Sequence, residues 1–168
     1  MTHITGTVTK IDGEPNLVIL RRFAATAADV WRELTDSARL ERWIGRWEGD
    51  PTSGRVTFFM TSEGQDAPPA DFTIVECDAP RRYAGHLPPA SGGWHLWVEL
   101  VEEAPADTVL TFGQRLAPGE DIGSIGPGWE YYLDRLVASH AGVDAATVVW
   151  DDYFPALQPA YEELVAAD

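Results

Sequence analysis

Residues 128–140, GWEYYLDRLVASH, carry the pattern on which the fold turns. Trp129, Tyr132, Leu133, Leu136, Val137 and His140 recur at i, i+3, i+4 spacing, while Glu130, Asp134, Arg135 and Ser139 face away. This periodicity predicts an amphipathic helix with one apolar face to bury. The chain before it offers a sheet for that face. Turn signals stand at Asp50-Pro51, Gly64, Pro68-Pro69, Ala79-Pro80, Pro88-Pro89, Gly92-Gly93, Pro105 and Pro118-Gly119. Between them, residues 17–23, 55–61, 72–77, 82–87, 94–101 and 108–116 are rich in β-branched and aromatic types that suit a pleated surface. An earlier run, 6–11, is placed to pair with the first through the turn Asp12-Gly13-Glu14-Pro15.

Helical spacing also follows the first long strand. Thr26 is placed to cap a helix over Ala27 to Leu34, with Asp29 three residues on and Val30 and Leu34 on one face. Strand, short helices, a five- or six-strand antiparallel run and one late helix make an α+β pattern in which the late helix covers the sheet.

Composition narrows the functional classes. A chain of 168 residues with 45% hydrophobic content supports one buried core. A formal charge of -15, from 27 acids against 12 bases, repels phosphate backbones and anionic lipid, which argues against nucleic-acid and membrane partners. Cys77 is the single cysteine and reads as an inert buried thiol, so a reducing, cytoplasmic setting is expected. Met1-Thr2-His3-Ile4 lacks the pattern of a secretory signal, and no apolar run approaches a membrane span of about 18 residues. His3, His86, His95 and His140 are scattered without metal-ligand spacing, and no cofactor is expected. The stretch Gly119 to Gly128 lacks the Lys of a phosphate loop and reads instead as a mobile gate beside the late helix, or as an ordinary connector.

Val30-Trp31, Leu34-Thr35-Asp36, Leu40, Trp43 and Gly45 resemble the helix-to-helix signature of the heat-shock-protein-90 ATPase activator homologue family, within the START-like (SRPBCC) superfamily. Residues 75–83, VECDAPRRY, resemble that family's strand-turn-strand motif, with Ala79 in place of the first proline of a Pro-Pro pair. Gly128-Trp129, Tyr132-Leu133 and Leu136 are similar to the start of its closing helix. The resemblance implies a helix-grip (START-like, Bet v-like) fold: an antiparallel sheet curved around a long C-terminal helix, with two short helices after the first strand. It further implies a cavity that in relatives holds lipids, sterols, hormones or polyketides. The domain is expected over 1–142, with residues 143–168 an aromatic tail packed on it or on a second copy. The N-terminal domain that the family's eukaryotic namesakes add has no counterpart in this sequence.

Strand parity nominates the cavity wall, because alternate side chains share one face. Trp94, Leu96, Val98 and Leu100 form an inward row, as do Leu110, Phe112 and Gln114, Tyr83 and Leu87, and Val56, Phe58 and Met60. The closing helix adds Trp129, Tyr132, Leu133 and Leu136, and the short helices add Leu40, Trp43 and Trp47. Core packing alone also explains such stripes; the excess of large aromatics and two polar tips, the Tyr132 hydroxyl and the Gln114 amide, favour a ligand site. The expected ligand-binding set is Trp43, Phe58, Tyr83, Leu96, Val98, Phe112, Gln114, Trp129, Tyr132, Leu133 and Leu136. A binding protein for a small apolar molecule is the leading expectation. A chaperone-linked interaction module, using the acidic surface or the tail, and a polyketide cyclase or aromatase that works by positioning are the alternatives.

Overall fold

Asp12 and Gly13, with φ of 52° and 83°, make a two-residue reversal that only a left-handed backbone permits. It joins β1 (Thr7–Ile11) to β2 (Glu14–Phe23) with Ile11 opposite Glu14. The computed structural model describes residues 3–62 and 68–166. Beyond β2 come α1 (Ala27–Thr35), α2 (Ser37–Leu40), β3 (Gly45–Glu48), β4 (Arg55–Met60), β5 (Ala70–Asp78), β6 (Arg82–His86), β7 (His95–Ala104) and β8 (Asp107–Arg115). The chain closes with α3 (Ile122–His140) and α4 (Gln158–Ala166). The expected break at Gly64 lies outside the described residues.

All eight strands form one antiparallel sheet in the order β1-β2-β8-β7-β6-β5-β4-β3. With α3 it makes the helix-grip architecture that the resemblance implies. The sheet is wider than the expected five or six strands because β2 pairs with β8 and carries β1 on its outer edge, and because β3, which follows the short helices directly, pairs with β4. Trp47 therefore sits on a strand rather than a helix.

The short helices form for local reasons. Thr26 caps α1 by accepting from Asp29 N at 3.2 Å, and Asp36 caps α2 by accepting from Arg39 N at 3.2 Å. Two indoles serve the other end of α1: Trp43 donates to the Glu33 carbonyl at 3.0 Å and Trp47 to the Thr35 carbonyl at 2.8 Å. Carbonyls left open at a helix end thus become anchors for two large rings.

Helix α3 begins at Ile122, six residues earlier than the periodicity indicates, so Gly123, Gly126 and Gly128 of the glycine-rich stretch are helical. Its glycines give close approach. A Cβ at Gly126 would lie 2.5 Å from the Tyr161 ring, and one at Gly123 would lie 2.9 Å from Glu162 Oε1, so small residues here seat α4.

The polar side of α3 is buried as well. Glu130, expected to face solvent, is 1% exposed and accepts from Thr5 N (2.6 Å), Thr5 Oγ1 (2.8 Å), Gly6 N (3.0 Å), Arg21 (2.7 Å) and Tyr161 Oη (2.5 Å). One turn later Asp134 accepts from Arg21 at 3.0 Å and from Tyr153 Oη at 2.5 Å. Two carboxylates at i, i+4 thus hold the N-terminal segment, β2 and the tail on α3, away from the inner face. No helix among the described residues is long and apolar enough to cross a membrane.

Candidate functional site

Burial along the strands locates the interior space. On β2 and β8 the inward residues Leu17, Ile19 and Leu110 are fully buried against Leu136 and Val30. On β4, β5 and β6 the inward residues Phe58, Met60, Phe72, Ile74 and Tyr83 are only half-buried. The helix covers one half of the curved sheet, and the other half faces a cavity of about 1010 Å³. This is the upper end of the range for sites that enclose small molecules.

Nine of the eleven nominated residues line it. Phe58 of β4, Tyr83 of β6, Leu96 and Val98 of β7 and Phe112 of β8 form the sheet side. Trp43 closes one end, and Trp129, Tyr132 and Leu133 form the helix side. The other two lie behind the wall. Leu136 is 0% exposed within the core beneath the second half of α3. Gln114 is also 0% exposed, because the Trp129 indole lies over it and donates to its Oε1 at 2.7 Å. The Gln114 amide is therefore a support for Trp129 and not a polar tip in the cavity. Its Nε2 is buried without a partner.

Several wall residues escaped nomination. Phe72 and Ile74 were legible from alternation along β5, and Trp31 from its place in the motif around α1. Tyr131 and Trp150 gave no such signal: one sits a position off the apolar stripe of α3, the other belongs to the tail. Their rings meet edge-on at 5.2 Å, and Trp150 remains 40% exposed where the wall reaches solvent. Six of the seven tryptophans line the cavity. The seventh, Trp97, lies on the outer face under Arg82, in a hollow of about 400 Å³ shared with Glu99 and Arg115.

Among the described residues, the cavity wall carries no Asp, Glu, Lys, Arg or His. Its polar groups are hydroxyls of Thr35, Ser62, Ser91, Ser124 and three tyrosines, with the Cys77 thiol at the rim. Burial, and secondarily the neighbouring Cys77, pushes the Tyr83 phenol well above its ordinary pKa, so it is a neutral donor. Cys77 is exposed, contrary to expectation, because it lies in the last four residues of β5, all of which are exposed. No group of three His, Cys, Asp or Glu side chains is gathered for a metal ion among the described residues.

A curved sheet gripping a helix is also what comparison with other proteins finds. The profile of the family described as Activator of Hsp90 ATPase homolog 1-like protein matches residues 24–141. The chain belongs to this family. Among solved structures of the same fold, CalU16 from Micromonospora echinospora superposes with a TM-score of 0.68 at 22% identity, covering 97% of each chain. EF2215 from Enterococcus faecalis gives 0.72 at 17% identity, covering 96% of this chain and 91% of that one. DynU16, a protein of the dynemicin biosynthetic locus, gives 0.64 at 18% identity over 77% of this chain and 49% of its own. At such identities the likeness establishes the fold. No curated protein matches the sequence significantly. Within the Hsp90-activator-homologue family profile the match ends at Ala141, so Trp150 comes from beyond the matched region.

Proposed function

We propose that the protein binds a small, mostly apolar molecule in the cavity between the sheet and α3, without a cofactor. The observation that carries this reading is the cavity itself, about 1010 Å³ with an aromatic wall that carries no charged side chain among the described residues. A void of that size costs the fold dispersion contacts and buried area unless a guest supplies them. Trp43, Phe58, Tyr83, Leu96, Val98, Phe112, Trp129, Tyr132 and Leu133 contact the guest in this reading, and Gln114 and Leu136 support the wall from behind. The charge of -15 and the single cysteine favour a cytoplasmic setting away from nucleic acid and anionic membranes. Native mass spectrometry of the protein drawn from its own host tests it: a bound mass that organic solvent releases is expected.

The family's description supports a second reading, an interaction with a chaperone of the Hsp90 class. Here the tail, with Val143, Val149 and Trp150 exposed, is the natural contact. Stimulation of that chaperone's ATPase would establish this role, and its absence would dismiss it. The neighbour from the dynemicin locus keeps a third reading in view, a cyclase-like enzyme that works by positioning a reactive guest.

A further inference from the structure

Arg135 stands just behind the cavity wall, and every hydrogen-bond partner it has among the described residues is neutral. Its Nε donates to the Trp43 carbonyl at 2.9 Å, and its two terminal nitrogens donate to Tyr131 Oη (3.2 Å), the Ala145 carbonyl (3.0 Å) and Ser62 Oγ (3.2 Å). No carboxylate pairs with it among the described residues, although Arg21, Arg22, Arg39 and Arg82 each hold at least one. A half-buried guanidinium without an anion leaves a positive potential that neutral partners do not cancel.

Two of those partners, Ser62 and Tyr131, line the cavity. Each hydroxyl oxygen accepts from Arg135, so each keeps its own proton to donate elsewhere. A cation on the oxygen polarises the O–H and strengthens that donation. Four other wall hydroxyls differ. Thr35 Oγ1 donates to the Trp31 carbonyl at 2.7 Å and Ser124 Oγ to Asp121 at 2.6 Å, so their protons are engaged. Tyr83 and Ser91 line the wall without a hydrogen bond from an arginine or lysine among the described residues. Ser62 and Tyr131 are thus a pair of arginine-polarised donors in a wall made mostly of apolar side chains.

We propose that Ser62 and Tyr131, backed by Arg135, form a subsite for an oxygen acceptor, a carbonyl or carboxylate, at one end of an aromatic or otherwise apolar guest. This rests on the binding function proposed above and gives the guest an orientation. The oxygen sits between β4 and α3, and the apolar body extends towards Phe112, Leu96 and Trp129. Tyr131 and Ser62 act by touching the guest, and Arg135 acts through them as a positioning residue.

Three fluorescent probes of one ring size test the subsite: ethylpyrene, acetylpyrene and pyrenecarboxylate, each titrated into the full chain. Acetylpyrene is expected to bind at least about tenfold more tightly than ethylpyrene, the upper end of the net value of one hydrogen bond between neutral groups, as fits donors polarised by Arg135. In the double variant Ser62→Ala, Tyr131→Phe, the ratio of the two affinities is expected to fall towards unity. A greater gain for pyrenecarboxylate than for acetylpyrene identifies an acid as the natural source of the oxygen, and the reverse identifies a neutral carbonyl; both support the subsite. Equal binding of acetylpyrene and ethylpyrene, or a ratio unchanged in the variant, overturns the subsite and leaves the binding function standing. Failure of all three probes to bind removes the binding function itself.

Discussion

The Trp129 indole donates to Gln114 Oε1 at 2.7 Å, tying the middle of α3 to the inner face of β8. The bond fixes which way the amide points, since a turned amide would set one N–H against another. It leaves Gln114 Nε2 buried and unpaired, a standing cost at the base of the cavity.

Trp129→Phe keeps a ring beside Phe112, now 4.3 Å away by ring centroids, but strips Gln114 of its partner. A loss of about 1–3 kcal/mol is expected from denaturant titration. Gln114→Leu removes the unpaired amide and strands the indole N–H. The double variant should therefore lose less than the sum of the two. Strict additivity would show that the pair is not coupled.

Acid should weaken the fold through Glu130. Burial pushes this carboxyl up, but hydrogen bonds from Tyr161, Arg21 and Thr5 more than offset it and hold it below its ordinary pKa. The resulting stability is fully present above the unfolded value of about 4.3 and disappears as pH falls through the lower folded value. Glu130→Gln should cost about 3 kcal/mol near neutral pH, because Arg21 loses a buried partner. It should also flatten the acid limb of a stability–pH curve measured in urea.

The alkaline limb belongs to tyrosines. Burial raises Tyr83, Tyr153 and Tyr161 above their ordinary pKa, reinforced by Cys77, Asp134 and Glu130 respectively. The neutral phenol is the folded form, so this stability is intact below about pH 10 and is lost as pH rises beyond it. Tyrosinate absorbance during a base titration should show Tyr83, Tyr153 and Tyr161, at least three of the five tyrosines, ionising only as the fold is lost. Smooth titration of all five in folded protein would contradict these environments.

Local pattern carried much of this architecture. Alternation along 94–100 and 110–114 placed Leu96, Val98 and Phe112 on the inner face, and helical spacing placed Trp129, Tyr132 and Leu133 opposite them. What stayed hidden depends on partners remote in the chain. Glu130 reads as a solvated charge until Thr5, Arg21 and Tyr161 are seen to converge on it. Gln114 reads as a cavity tip until Trp129 is seen to cover it, and Gly123 and Gly126 read as a loop until α4 is seen to rest on them. Parity gives the face a side chain shares; it does not give what comes to lie on top.

Gly128 offers a direct way into the cavity. It lines the wall within α3, and a Cβ added there meets nothing within 4 Å. Gly128→Ala should stabilise the protein by about 0.5–1 kcal/mol through helix propensity alone, read as a raised melting temperature.

The larger variant at this position puts the central claim to trial. Titration of the neutral dye Nile red into wild type and into Gly128→Trp, both verified as folded, compares an open cavity with one occupied by an indole. Saturable one-to-one binding by wild type, weakened at least about tenfold in the filled variant, is the expected result. Equal binding by both proteins, or no saturable binding by wild type, would contradict a ligand site between the sheet and α3.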